Sequence, residues 1–120
     1  MRILVVDDSR AMRMIVKRTL RQAGYGEHTI EEAENGKLAL DVIEDNPPGL
    51  VLSDWAMPEM TGIELLQAIK DKKIPVKIGV VTSQGTPEMR QQAMDLGAAF
   101  LLVKPFTSDD LGKALAPVLG

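Results

Sequence analysis

The sequence predicts a three-layer α/β domain, in which a parallel sheet is covered by helices on both faces. Three observations carry this. Short apolar runs without alternation recur at residues 3–6, 50–52, 78–81 and 100–103, and strands buried on both faces read this way. Segments with helical spacing lie between them. Strand and helix patterns alternate about five times along the chain, which is the order that right-handed crossovers require.

The first run, residues 3–6, leads through Asp7-Asp8-Ser9 into a helix. Met12, Ile15, Val16 and Leu20 follow a 3.6-residue period there, Arg10, Arg13, Lys17 and Arg21 mark a solvated opposite side, and Gly24 and Gly26 end it. Residues 28–34 form the weakest strand, because Ile30 and Ala33 are mixed with charges. Such polarity suits a sheet edge. Asn35-Gly36 opens a second helix around Ala39, Val42 and Ile43, which stops at Asn46-Pro47-Pro48-Gly49.

After the strand at 50–52, Thr61 and Glu64 have capping-box spacing ahead of Leu65, Leu66 and Ile69. Thr86-Pro87 reads as N-cap and first helical residue, and Gly97 as the stop of that helix. Thr107 with Asp110 starts a last helix whose apolar face is Leu111, Ala114, Leu115 and Val118. Pro117 argues against its final turn.

The 120 residues fit one domain, 1–120, large enough to fold without staples. There are no cysteines, which excludes disulfides, thiolate zinc sites and cysteine nucleophiles. Seventeen acids against fourteen bases give a net charge of -3, whereas a duplex-binding module carries a basic excess, so nucleic acid is not an expected partner. No apolar run is long enough to span a bilayer, and the N-terminus lacks the pattern of a signal peptide. The expectation is a soluble, cytoplasmic, single-domain protein, monomeric and with no output domain. Aromatics make up only 3%, so the core must be aliphatic.

What stands at the end of each apolar run carries the chemistry. Residues 3–6 end in Asp7-Asp8; 50–52 end, after Ser53, in Asp54; 78–81 in Thr82-Ser83; and 100–103 in Lys104. In an open parallel sheet all these ends lie on one edge, where ligands bind. Three carboxylates brought together repel one another unless a cation is present. A hard divalent ion, Mg2+, suits oxygen donors and brings phosphate oxygens with it. A carboxylate can then act as a nucleophile toward phosphorus, with Lys104 neutralising charge on the transferring group. Each residue alone has a plainer role: Asp8 or Ser9 as a helix cap, Asp54 as a turn acceptor before Pro58, Thr82 as a strand end, Lys104 as a solvated charge. Four strand ends carrying reactive groups together favour the pocket.

Asp7-Asp8, the stretch Asp54-Trp55-Ala56-Met57-Pro58 followed by Gly62, Val81-Thr82-Ser83, and Val103-Lys104-Pro105-Phe106 together resemble the motif set of response-regulator receiver domains. The resemblance covers essentially the whole chain, and the single-domain chemotaxis regulators are the members most similar. It implies a doubly wound, flavodoxin-like fold with strand order 2-1-3-4-5. It also implies that Asp54 accepts a phosphoryl group from a sensor histidine kinase. Asp7, Asp8, Asp54 and the backbone carbonyl of Ala56 would hold Mg2+; Lys104, with Ala56 and Ser83, would face the phosphoryl group; and the Thr82 hydroxyl would move toward it. The Lys104-Pro105 peptide is expected to be cis. Output would come from altered binding to a protein such as a flagellar motor component; a place in a phosphorelay is the alternative.

Three positions depart from the better-known chemotaxis pattern. Ala56 and Gln84 stand where the family tunes dephosphorylation, and Leu101 stands where many members carry a switching Tyr or Phe. The missing aromatic motivates a second reading, a receiver-like binding module that needs no phosphorylation. A third, a phosphohydrolase, expects an Asp-x-Asp pattern after the first strand, and Asp7-Asp8-Ser9 does not fit. The chain therefore reads as a signalling protein and not as an enzyme, beyond catalysing its own phosphorylation and dephosphorylation. His28 reads as a surface strand residue, and Met57, Met60, Met89 and Met94 as core filling ahead of the alternative, an adaptable binding surface.

Overall fold

A computed structural model describes residues 1–119. Five strands form one parallel sheet: β1 (Arg2–Val6), β2 (Thr29–Ala33), β3 (Leu50–Asp54), β4 (Lys77–Thr82) and β5 (Phe100–Val103), in the order β2-β1-β3-β4-β5. Helices α1 (Arg10–Leu20), α2 (Gly36–Asp45), α3 (Gly62–Asp71), α4 (Pro87–Asp95) and α5 (Ser108–Leu119) connect and follow them.

The continuous apolar runs are explained by the two cores. Successive side chains of a strand point to opposite faces. On one face Leu4, Val6, Val51, Ile78 and Val80 pack with residues of α2, α3 and α4. On the other, Ile3, Val5, Leu50 and Leu52 pack with Val16 and Leu20 of α1 and Leu111 and Leu115 of α5. Neither face of the central strands meets water. Each fully buried Leu or Ile contributes about 1.5–3 kcal/mol.

The helix starts follow the sequence. Ser9, Asn35, Thr61 and Thr86 each accept a hydrogen bond from the backbone amide three residues on, and Thr61 with Glu64 completes the capping box. Thr107 and Asp110 exchange the same pair of bonds at the start of α5. Gly97 follows α4 with φ +92°.

Three expectations about these elements are corrected. Ile15 is 46% exposed, because the buried arc of α1 is centred on Val16, Thr19 and Leu20 and Ile15 falls on its margin at 100° per residue. As expected, helical structure ends at Gly24 and Gly26: it runs past Leu20 as one wide turn over Arg21–Tyr25, in which Gly24 takes φ +99°, a left-handed conformation that glycine adopts without steric cost. The second strand is Thr29–Ala33, so His28 lies in the preceding turn, where its ring stacks on Tyr25 and its Nδ1 meets the N-terminal amine at 3.1 Å. Finally, α5 continues through Pro117 to Leu119: Leu111 and Leu115 anchor it in the core, and Lys77 Nζ donates to the Val118 carbonyl at 2.6 Å.

The polar strand β2 does occupy an edge, paired in parallel with β1 from Arg2↔Thr29 to Val6↔Ala33. Its charges are matched. Arg2 pairs with Glu31 at 2.7 Å, and Arg13 and Lys17 of α1 converge on Glu32 at 2.9 and 3.1 Å. Of the methionines, Met57 is buried, whereas Met94 is 46% exposed on α4 and does not fill the core.

Candidate functional site

The parallel register brings the exits of β1, β3, β4 and β5 to one edge of the sheet. Asp7 leaves β1 with its amide donating to the Ala33 carbonyl, and its side chain is almost fully buried, at 5% exposure. Asp54 is the last residue of β3, Thr82 the last of β4, and Lys104 follows β5 directly. The Lys104 amide donates to the Thr82 carbonyl at 2.7 Å, and the Trp55 amide to the Val81 carbonyl at 2.9 Å. The backbone ladder thus fixes the spacing of the site.

Lys104 Nζ bridges two carboxylates from residues far apart in sequence, Asp54 Oδ1 at 3.2 Å and Asp7 Oδ2 at 3.4 Å. Asp54 Oδ1 also accepts from the Trp55 amide at 2.9 Å, and Asp7 Oδ1 from the Ser9 amide at 2.9 Å. Among the described residues, Asp54 Oδ2 accepts no hydrogen bond. Burial raises the Asp54 pKa above the ordinary aspartate value, and the nearby charge of Asp7 raises it further. Lys104 and the Trp55 amide oppose this without cancelling it.

Asp7, Asp8 and Asp54 can each offer a carboxylate oxygen, all within 4.8 Å of one another. The group mixes a buried, an exposed and a half-buried acid, so one side stays open to water. All donors are hard oxygens, the set that Mg2+ takes. An acid whose ionised form is disfavoured by its neighbours is the complement of a divalent cation. The cluster therefore fits such an ion, as receiver domains bind Mg2+ at an acidic pocket.

The other expected residues are placed less closely. Thr82 is buried, but its hydroxyl donates to the Gln84 carbonyl at 3.2 Å and accepts from the Gln84 amide at 3.1 Å. It makes no hydrogen bond to Asp54 or Lys104. Ser83 and Ala56 are exposed on the two flanking loops. The Lys104-Pro105 peptide is cis, and Leu101 is buried at 5% exposure.

Sequence reasoning missed Arg13, which had the look of a solvated base. Its side chain is only 14% exposed, and its Nη1 donates to the Asp7 carbonyl at 2.7 Å while its Nε pairs with Glu32. It ties the β1 exit to β2. The signal lay in its spacing, one helical turn after Ser9, which aims it back over the start of α1. Gly62 also supports the site: a Cβ there would run into the Asp54 carbonyl oxygen and crowd the Trp55 Cα at 3.1 Å. Only glycine lets α3 begin that close to β3.

Comparison with known proteins agrees with this architecture. The family described as "Response regulator receiver domain" matches residues 3–116. The chemotaxis protein CheY of Bacillus subtilis (strain 168) is 37% identical over 118 residues, covering 98% of this chain and 97% of that protein. The chemotaxis protein CheY1 of Helicobacter pylori (strain ATCC 700392 / 26695) is 40% identical over 125 residues, covering 100% and 98%. Among solved structures, the chemotaxis protein CheY4 of Vibrio cholerae superimposes with a TM-score of 0.85 at 35% identity, over 98% of both chains. The signal receiver domain of a Luxo repressor protein from Vibrio parahaemolyticus gives 0.90 at 28% identity, over 98% of this chain and 88% of that one.

Proposed function

Because the chain belongs to the response regulator receiver domain family, we propose that it is a chemotaxis-type signalling switch in which Asp54 is the phosphoryl acceptor. The observation that carries this assignment is the Lys104 bridge: one ammonium holds Asp54 Oδ1 and Asp7 Oδ2 while, among the described residues, Asp54 Oδ2 accepts no hydrogen bond. A carboxylate oriented through one oxygen has the other available for attack.

In the proposed step, a carboxylate oxygen of Asp54 attacks the phosphorus of a phosphohistidine on a sensor kinase. An O–P bond forms, the P–N bond breaks, and the imidazole nitrogen keeps the electron pair. Asp7, Asp8, Asp54 and the Ala56 carbonyl would hold Mg2+, which when bound neutralises phosphoryl oxygens. Lys104 would transfer its contact from Asp54 to the incoming group, adding positive charge where negative charge builds. Ala56 and Ser83 would border that group from the two loops. Ala56 offers no side-chain polar contact to it, and Gln84 stands at the other position where the family tunes dephosphorylation.

The Thr82 hydroxyl, engaged with Gln84 in this structure, would exchange that contact for the phosphoryl group and draw the β4–α4 loop with it. The loop would thus have a second hydrogen-bonding arrangement beside the one seen here, and phosphorylation would bias it toward that one. With Leu101 in place of an aromatic, the change spreads through aliphatic repacking. The signal would be read by a downstream protein such as a flagellar motor component, in keeping with the chemotaxis names of the relatives.

Incubation with acetyl phosphate and Mg2+ should add one acid-stable, base-labile phosphate to the wild-type chain and none to Asp54→Asn. An unmodified wild type would sink the assignment.

A further inference from the structure

Away from that site, α3 and α4 part to leave a groove of about 1070 Å³. Its floor is apolar, built from the half-buried Met60, Ile63, Ala68 and Leu96, and its walls carry Glu64, Asp71, Glu88 and Asp95 together with three glutamines. All four acids are exposed. Among the described residues lining it there is no lysine or arginine. At one end it meets Met60 on the β3–α3 loop and Pro87 at the start of α4; at the other, Lys70 Nζ donates to the Asp95 carbonyl at 3.3 Å and ties the two helices together.

We propose that this groove receives a basic amphipathic helix of a partner protein. The charge pattern argues for it: an apolar trough between four carboxylates is complementary to a helix with an apolar stripe flanked by lysines or arginines. The dimensions agree. The ten residues of α3 span about 15 Å at 1.5 Å per residue, the length of roughly three turns of a docked helix, and a trough between two helices is where the ridges of a third pack. Met60 supplies an unbranched, adaptable side chain at the mouth. The surface is separate from Asp54 and does not rest on its phosphorylation. Its upper end is bordered by Met60 of the β3–α3 loop and by Pro87, the first residue of α4.

The test uses a synthetic helical peptide of about 18 residues, long enough to hold a helix, with leucines on one stripe and lysines on both flanks, and no phosphodonor. Methyl NMR should show shifts at Met60, Ile63, Ala68 and Leu96. Asp71→Lys with Asp95→Lys should weaken binding about tenfold, whereas Asp41→Lys with Asp45→Lys, the same charge change on α2, should alter it by less than about twofold. Asp71 and Asp95 close their helices, where a base suits the helix dipole better than an acid, so the first pair should fold. Ala68→Phe, which fills the trough, should abolish binding. Equal binding of the same peptide with glutamates for lysines, shifts outside the groove, or equal weakening by both charge pairs would each overturn the proposal. Failure of Asp54 to take phosphate would leave it standing, since no arm depends on that reaction.

Discussion

Asp54 is held in a state that its environment disfavours. Burial and the charge of Asp7 raise its pKa, with Lys104 and the Trp55 amide only partly offsetting them. A carboxyl with a raised folded pKa adds stability that is fully present below its unfolded value, about 3.9, and is lost as pH rises through the folded value. At neutral pH the ionised group therefore weakens the fold. Without Mg2+, Asp54→Asn should have a higher urea midpoint than wild type at pH 7, and the gap should narrow toward pH 4; a lower midpoint at pH 7 would contradict the electrostatic account. The identities of Asp7, Asp8, Asp54 and Lys104 as a set were legible in the sequence because each ends an apolar run. That Lys104 bridges Asp7 and Asp54, and that the Thr82 hydroxyl turns instead to Gln84, was not, since side-chain direction depends on loop geometry.

At the scale of the elements, local chemistry fixes helix starts and tertiary contacts fix the weak strand. The capping box at Thr61 starts α3 beside the site, and Thr61→Ala should cost about 1 kcal/mol in chemical denaturation. Strand β2 has little apolar content, and its docking uses Glu32, whose pKa is lowered first by the hydrogen bond from Arg13 and then by that from Lys17. A depressed carboxylate adds stability that is present above its unfolded value and lost as pH falls through the folded one. About a third of the Glu32 side chain is exposed, so solvent screening limits the effect. Glu32→Gln should cost no more than about 1 kcal/mol at pH 7, with a smaller difference below pH 4. The pairing of β2 was readable only as an edge strand; that Arg13 serves both Glu32 and the Asp7 carbonyl required the helix to be laid on the sheet.

The whole molecule joins carboxylates that no local segment contains. Asp7 and Asp8 follow β1 and Asp54 ends β3, so a cation that needs all three binds the folded chain and not the unfolded one. Mg2+ should therefore raise the urea midpoint of the wild type, by the equivalent of about 2.7 kcal/mol at a hundredfold excess over Kd. The Asp7→Asn, Asp54→Asn double variant should gain little. An equal gain in both would place the ion elsewhere. No described helix is long and apolar enough to cross a membrane, in line with the short runs read from the sequence.

By itself the sequence determined the alternation of strands and helices, the helix caps, and the set of polar residues at the strand ends, because periodicity, cap chemistry and run boundaries are local properties. Tertiary structure alone decided where the buried side of α1 ends, how α5 carries Pro117, where the Lys104 ammonium rests, and that α3 and α4 part to leave an acid-walled groove. Those outcomes depend on how helices lie against a shared sheet, where packing and charge act between residues that the chain order keeps far apart.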